Sequence, residues 1–268
     1  MSRCKEFFMT IIFDIETVPD LELCKEFFDI SSDGYDGVLQ AQEQYKEENN
    51  TTFLPLPYHR VVEISAVQTD DFGDFKKVGS FSKSSEKELI SEFFNLINKF
   101  NPRLVSFNGK NFDIPVLLLR GMKYNLSCQA FFDTNNPALN KSKWENYRVK
   151  FNESFHLDLY EQLSTFGANR TINLDTICKM CGAVGKIDTK GDDVARLFYA
   201  NDLKQISEYC ESDVLNTYWI FLKYELLKGN LSLESYKTYL KDMSSKLQPQ
   251  KSYYLNFLDA VDIEINRS

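Results

Sequence analysis

Asp14-Ile15-Glu16 follows a short apolar, β-branched run, Phe8 to Phe13, that reads as a buried strand. On a strand, residues i and i+2 project to the same face, so both carboxylates point one way from the strand's end. Ionised carboxylates so placed need a counter-charge, and a divalent cation with oxygen ligands is the natural one. A solvated strand end accounts for most Asp-x-Glu pairs, so the pair gains weight only with partners elsewhere. Asn108-Gly-Lys-Asn-Phe-Asp113 sits in a loop between a strand, Arg103 to Phe107, and a helix from about Pro115 to Tyr124. Loops after strands are where open α/β sheets carry ligand sites. Capping the helix and serving a site are compatible roles for Asp113. Tyr209-Cys-Glu-Ser-Asp213 falls in a long helix, Asp202 to about Lys228, where the spacing i, i+4 puts phenol and carboxylate on one face. Asp14, Glu16, Asp113 and Asp213 with Tyr209 give four carboxylates and one phenol in the order strand, loop, helix. That set suits two Mg²⁺ ions roughly 3.5–4 Å apart.

The elements that must position these groups are legible in outline. Val61 to Thr69 and Phe75 to Ser82, joined by the turn DDFGD, read as a β-hairpin that extends the first sheet. Leu89, Ile90, Phe93, Phe94, Leu96, Ile97 and Phe100 mark an amphipathic helix that Asn101-Pro102 ends. Asp20 to about Glu48 reads as two helices or a mobile insertion, residues 125–153 as irregular, and Ser154 to Leu159 as one more strand. Helices follow at 173–181, 192–199, 202–228, 232–246 and 249–260. Early strands interleaved with helices predict an α/β domain with a mixed central sheet flanked by helices, the last helices packed beside it.

Composition limits the function classes. The chain has 268 residues, 43% hydrophobic and 26% charged, with a formal charge of −8. Disordered, collagen-like and coiled-coil classes are excluded, and no apolar run reaches the roughly 18 residues of a membrane span. The opening residues lack a signal-peptide pattern, so a cytoplasmic protein is expected. Acidity argues against a general polyanion binder but not against a phosphodiester enzyme, because bound cations can supply the positive charge where the phosphate sits. The six cysteines, at 4, 24, 128, 178, 181 and 210, lack disulfide-framework spacing. Cys178-Lys-Met-Cys181 has no second pair, and with only His59 and His156 in the chain it reads as a helix end and not as a zinc site.

Three segments, FDIETVPD, FNGKNFDIPVL and YCESDVLNTY, resemble the motifs of the DEDD superfamily of 3′→5′ exonucleases in its tyrosine branch, on the ribonuclease H-like fold. FLPLPYHRVVEISAV, HLDL and LDTICKMCGAVGKIDTKGDDVARLFYANDLKQISEYCESDVLNTYWIFLKYELLKGNL extend the resemblance to stand-alone bacterial exonucleases related to the proofreading domain of family B DNA polymerases. The resemblance spans roughly residues 9–231. It implies a 3′→5′ exonuclease domain over 1–231 with a C-terminal helical extension, 232–268, packed on the same domain. It makes Asp14 the carboxylate shared by two Mg²⁺ or Mn²⁺ ions, with Glu16 and Asp213 completing the first site, Asp113 serving the second, and Tyr209 orienting the attacking water. The implied substrate is single-stranded or 3′-frayed nucleic acid, DNA favoured, with any polymerase or repair partner acting in trans. Phe107 and Asn108 border the 3′-terminal nucleotide on this reading. Phe112 either stacks on a base or belongs to the core. Asp158 is an outer acid or a helix N-cap, and Lys186 and Lys190 touch phosphates or lie in a solvated loop. A non-catalytic relative that binds nucleic acid or protein, an endonuclease and a nucleotide phosphatase are the competing readings.

Overall fold

The computed structural model describes residues 9–81, 83–169, 171–187 and 191–267. Its centre is a five-stranded sheet in the order β3-β2-β1-β4-β5. β1 runs Thr10–Pro19, so Asp14 and Glu16 lie within the strand and not at its end. The cause is the hairpin: antiparallel pairing carries β1 from Thr10↔Thr69 to Pro19↔His59, with a bulge between Glu16 and Thr17. A short helix α1 (Leu21–Cys24) and a longer α2 (Gly34–Asn49) follow, then β2 (His59–Thr69) and β3 (Phe75–Ser80). The expected pair of helices between strand and hairpin is therefore present. α2 places Val38 against Val18, Val194, Leu197 and Ile206 in a small apolar cluster beside the open end of β1.

α3 (Glu86–Phe100) forms on the expected apolar stripe, with the Ser85 side chain accepting the Glu88 N–H and Asn101 closing it at φ 46°. β4 (Arg103–Ser106) pairs parallel with β1 only through Ile12↔Val105. Beyond that point the β1 edge is open to the loop that leads into α4 (Asp113–Lys123). A short helix α5 (Gln129–Phe132) interrupts an otherwise irregular stretch, and β5 (His156–Asp158) pairs parallel with β4. β1, β4 and β5 thus run in one direction and deliver Asp14-Ile15-Glu16, the 108–113 loop and Asp158 to the same end of the sheet.

Alternation along β1 divides the core. Ile11, Phe13 and Ile15 enter a cluster with Ile90, Phe93, Phe94, Val116 and Leu117, whereas Ile12 faces Val214, Leu215, Tyr218 and Trp219. The elements behind the second face are α6 (Leu159–Leu163), α7 (Leu174–Cys181), α8 (Val194–Tyr199) and α9 (Leu203–Leu227). α9 is buried continuously from Cys210 to Leu222, with α10 (Leu233–Lys246) and α11 (Tyr254–Ile265) covering its outer side. The last helix begins five residues later than the expected 249. The segment before it is a pair of turns tied to α9: Ser252 N–H donates to Glu208 at 3.0 Å, Tyr253 OH to Glu211 at 2.8 Å, and Lys251 pairs with Glu211 at 2.7 Å.

A buried ion network fixes the other face. Arg120 donates to both oxygens of Glu86 at 2.7 and 2.6 Å and to Asp20 at 2.6 Å, while Val61 N–H and Tyr124 OH also donate to Glu86. It ties α3 and α4 to the ends of β1 and β2, where the carboxylate strand leaves the sheet. Among the described residues no helix is long and apolar enough to cross a membrane.

Candidate active site

Asp14 and Glu16 share the sheet face that α9 covers. Their carboxylates and the thiol of Cys210 on α9 place ligand atoms within 4.8 Å of one another. The third carboxylate arrives through the sheet's open edge. Because β4 pairing stops at Ile12, the N–H of Ile15 has no strand partner there, and it donates to Asp113 Oδ1 at 3.2 Å. Asp113 is the first residue of α4, and its carboxylate accepts both its own backbone N–H and that of Ile15 on β1. The loop reaches this position because Gly109 lies against Ser106: a Cβ there would stand 2.5 Å from Ser106 Oγ and 3.5 Å from Asp113 Cγ. Asp213, one turn after Tyr209 on α9, accepts a hydrogen bond from the Tyr209 phenol.

Electrostatics mark this cluster as incomplete without positive charge. Burial, then the neighbouring Asp113, Glu16 and Asp213, hold the Asp14 carboxyl well above the usual carboxylate range. Burial, then Asp213 and Asp113, do the same to Glu16, opposed by Lys186. Burial raises Asp113 to about 7 and Asp213 to about 6. Glu63, opposite Glu16 across the β1–β2 pair, is itself raised to about 7 by burial. Burial and the neighbouring carboxylates push the Tyr209 phenol far above its ordinary value, so it stays a neutral hydrogen-bond donor. Convergent, desolvated carboxylates of this kind are a hard-oxygen donor set, and they fit divalent cations such as Mg²⁺ or Mn²⁺. The Cys210 thiol, also pushed up by burial and by Asp14, points its Sγ to the Asp14 carbonyl oxygen at 3.6 Å and fills the floor as a neutral group.

The remaining predicted residues fall into two groups. Asp158 is fully buried: its oxygens accept Asn108 N–H at 2.9 Å, Lys110 N–H at 2.8 Å and Glu161 N–H at 3.2 Å, and its charge helps to raise the Asp113 carboxyl. It caps α6 and shapes the 108–113 loop at once. Asn108, at φ 69°, is part of that turn. Phe107 packs edge-on to Tyr160 at 5.8 Å, and Phe112 packs between Phe53 and His59 at 5.7 and 5.0 Å, which places both on the wall more than in the cleft. Lys186 Nζ lies 5.9 Å from the Tyr209 ring centroid, over its face. Lys190 lies outside the described residues. His59 bonds Thr17 and Leu54, and His156 bonds Ser106, so neither histidine joins Cys178 and Cys181.

Sequence reasoning missed the groups that hold Lys186 in place. Asn216 exchanges hydrogen bonds with Gly185 at 2.9 and 3.0 Å, and Asp175 accepts Lys186 N–H at 2.8 Å. Gly185 is at φ 70°, and a Cβ there would meet Asp175 Oδ1 at 2.5 Å. Asn216 follows Asp213 by three residues on a helix that carries the site, and that spacing is the signal that could have found it. Beside Tyr209 and Asp213, Lys186, Gln205, Ser212 and Ser252 line an open cleft of about 300 Å³.

Residues 51–261 match a family described as predicted 3′-5′ exonucleases related to the exonuclease domain of PolB. Curated relatives include a DNA polymerase of Thermococcus aggregans, 26% identical over 143 residues, covering 50% of this chain and 8% of the polymerase. A Pyrococcus horikoshii DNA polymerase is 28% identical over 142 residues, covering 50% of this chain and 11% of its own, and Sulfurisphaera ohwakuensis DNA polymerase 1 is 35% identical over 89 residues, covering 33% and 8%. The chain thus spans about a tenth of the length of these relatives. A structure of the family B DNA polymerase of Pyrobaculum calidifontis aligns with a TM-score of 0.49 at 15% identity, covering 89% of this chain and 29% of that one.

Proposed function

Because the chain belongs to the family of predicted 3′-5′ exonucleases related to the exonuclease domain of PolB, we propose that it removes 5′-nucleoside monophosphates from the free 3′ end of single-stranded or frayed nucleic acid, DNA favoured. The observation that carries this reading is the convergence of Asp14, Glu16, Asp113 and Asp213 with Tyr209 from a strand, a loop and a helix. Two Mg²⁺ or Mn²⁺ ions held by these carboxylates would neutralise the scissile phosphate and activate water as the nucleophile. The chain's own residues do the rest. Asp14 is pushed upward by Asp113, Glu16 and Asp213 together, so it would be the carboxylate that both sites share. The Tyr209 phenol, neutral and fixed by Asp213, orients the nucleophile by hydrogen bonding and does not serve as its base. Lys186 offers positive charge to the phosphate at the rim. Asp158 and Gly109 keep the 108–113 loop, and with it Asp113, against β1.

Residues 1–231 form the nuclease unit on this reading, and α10 and α11 are an extension that shares its core through Tyr236, Leu240, Met243 and Phe257. The test is a 5′-labelled single strand with Mg²⁺ or Mn²⁺, run as matched DNA and RNA. The expected result is a descending series of products that EDTA abolishes, with DNA cut faster. Full activity in EDTA, or a labelled 5′ mononucleotide as first product, overturns the proposal.

A further inference from the structure

We propose that the exposed surface formed by Phe151, Phe166 and Trp144 with Lys143 and Lys150 is a stacking platform for the unpaired strand that extends away from the active site. This rests on the nuclease reading for its purpose, but its geometry is independent of the carboxylates. The three rings are open to solvent, at 61%, 49% and 72% exposure, whereas the chain's other tryptophan, Trp219, is fully buried. Phe151 and Phe166 meet edge-on with centroids 4.8 Å apart at 84°, so they present faces in two directions.

Phe166 is held outward at a cost. Thr165, Phe166 and Gly167 occupy the left-handed region in succession, at φ 55°, 58° and 83°. A β-branched and an aromatic residue there are conformationally unfavourable. Phe166 N–H to Glu161 O at 2.7 Å, Gly167 N–H to Ser164 Oγ at 2.9 Å and Asn169 N–H to Ser164 O at 3.0 Å fix the turn. A turn so determined, ending with a large apolar ring in water, works against burial and points to an external partner.

Charge identifies that partner. In a chain of net charge −8, cations are paired with these rings: Lys150 Nζ lies 5.3 Å from the Phe151 centroid and Lys143 Nζ 4.8 Å from that of Trp144. Alternating aromatic faces and ammonium groups match the alternating bases and phosphates of a single strand, and they do so without sequence preference. A duplex has no free base faces to offer. Lys110 connects the platform to the site: it lies in the loop that ends at Asp113, and its Nζ donates to Lys150 O at 3.1 Å and to Glu161 at 2.7 Å. Asn152 donates to the Trp144 backbone carbonyl at 3.0 Å and so ties that residue's main chain to the segment that carries Phe151.

The test compares wild type with Phe151→Ala/Phe166→Ala, both changes being at exposed positions, after melting curves establish equal folding. Fluorescein-labelled oligothymidylates of about two and about ten nucleotides are titrated in EDTA, where no strand is cut, and Trp144 emission is followed in parallel. Wild type should gain affinity with length and show quenching. The double variant should lose about tenfold or more of its affinity for the longer strand, as loss of base stacking predicts. Binding of the longer strand within about twofold of wild type by the double variant, or an unquenched Trp144 in wild type, overturns the platform. If wild type binds and quenches as expected yet cuts no 3′ end with any divalent cation, the nuclease reading fails and the platform stands. If wild type cuts normally and the double variant binds as wild type does, the platform alone fails.

Discussion

Neutralising Asp213 should make the metal-free protein more stable while weakening its response to metal. Burial raises the Asp213 carboxyl to about 6 from its ordinary 3.8. A carboxyl with a raised folded-state value binds its proton more tightly in the native state, so its contribution is fully present below about pH 4 and is lost as pH rises through about 6. The difference of about two pH units corresponds to about 3 kcal/mol of native-state penalty at pH 8 in the absence of metal. Asp213→Asn removes that penalty and still offers Tyr209 an acceptor oxygen. It also relieves Asp14 and Glu16, which Asp213 pushes upward. At roughly 2–4 °C per kcal/mol for a domain of this size, the melting temperature in EDTA at pH 8 should rise by about 6–12 °C. The gain should shrink to near zero at pH 4. Metal reverses the order: at a hundredfold excess over Kd, wild type should gain about 2.7 kcal/mol, and the variant much less. Calorimetry of both proteins from pH 4 to 8, in EDTA and in Mg²⁺, reads all of this. A variant no more stable than wild type at pH 8 in EDTA, with a difference independent of pH, refutes the claim that the cluster is held together against its own charge.

Other perturbations separate the roles within the site. Asp14→Asn should lower turnover on the order of a thousandfold, since one change damages both proposed metal sites, with the far-ultraviolet spectrum unchanged; near-normal turnover removes Asp14 from the mechanism. Tyr209→Phe keeps the ring's packing and loses one hydrogen bond, so single-turnover cleavage should slow by about a hundredfold, with metal affinity retained. A rate within about twofold of wild type would leave the phenol a packing group. Arg120→Met strands Glu86 and Asp20 in the interior and should cost about 3–5 kcal/mol in urea unfolding, whereas a cost under about 1 kcal/mol would show the network to be incidental.

Much of the site was legible because its residue types are improbable where they stand. Two carboxylates on one strand face, and Tyr and Asp four apart on one helix face, are readable from the periodicities of strand and helix alone, whereas the continuation of the strand past Glu16 is not. What sequence could not give was the distance relation between segments. The contact of Asp113 with Ile15 N–H depends on β4 pairing with β1 only as far as Ile12, a register that no local pattern records. Asp158 was ambiguous because an N-cap aspartate and an outer acid share the same local sequence, and only the parallel β4–β5 pairing shows that its oxygens face the 108–113 loop. The late start of α11 was hidden for a similar reason. Residues 249–253 have helical spacing, but Ser252 and Tyr253 are occupied by acidic side chains of another helix.

The carboxylates come from three places separated by about a hundred residues each, and the bond from Ile15 to Asp113 already spans 98 positions. No fragment lacking α9 holds the complete set. During synthesis, the residue that completes the charge cluster of β1 arrives some two hundred residues after that strand. If the proposed function holds, catalytic competence is a late event, timed by the docking of one helix onto a sheet already formed.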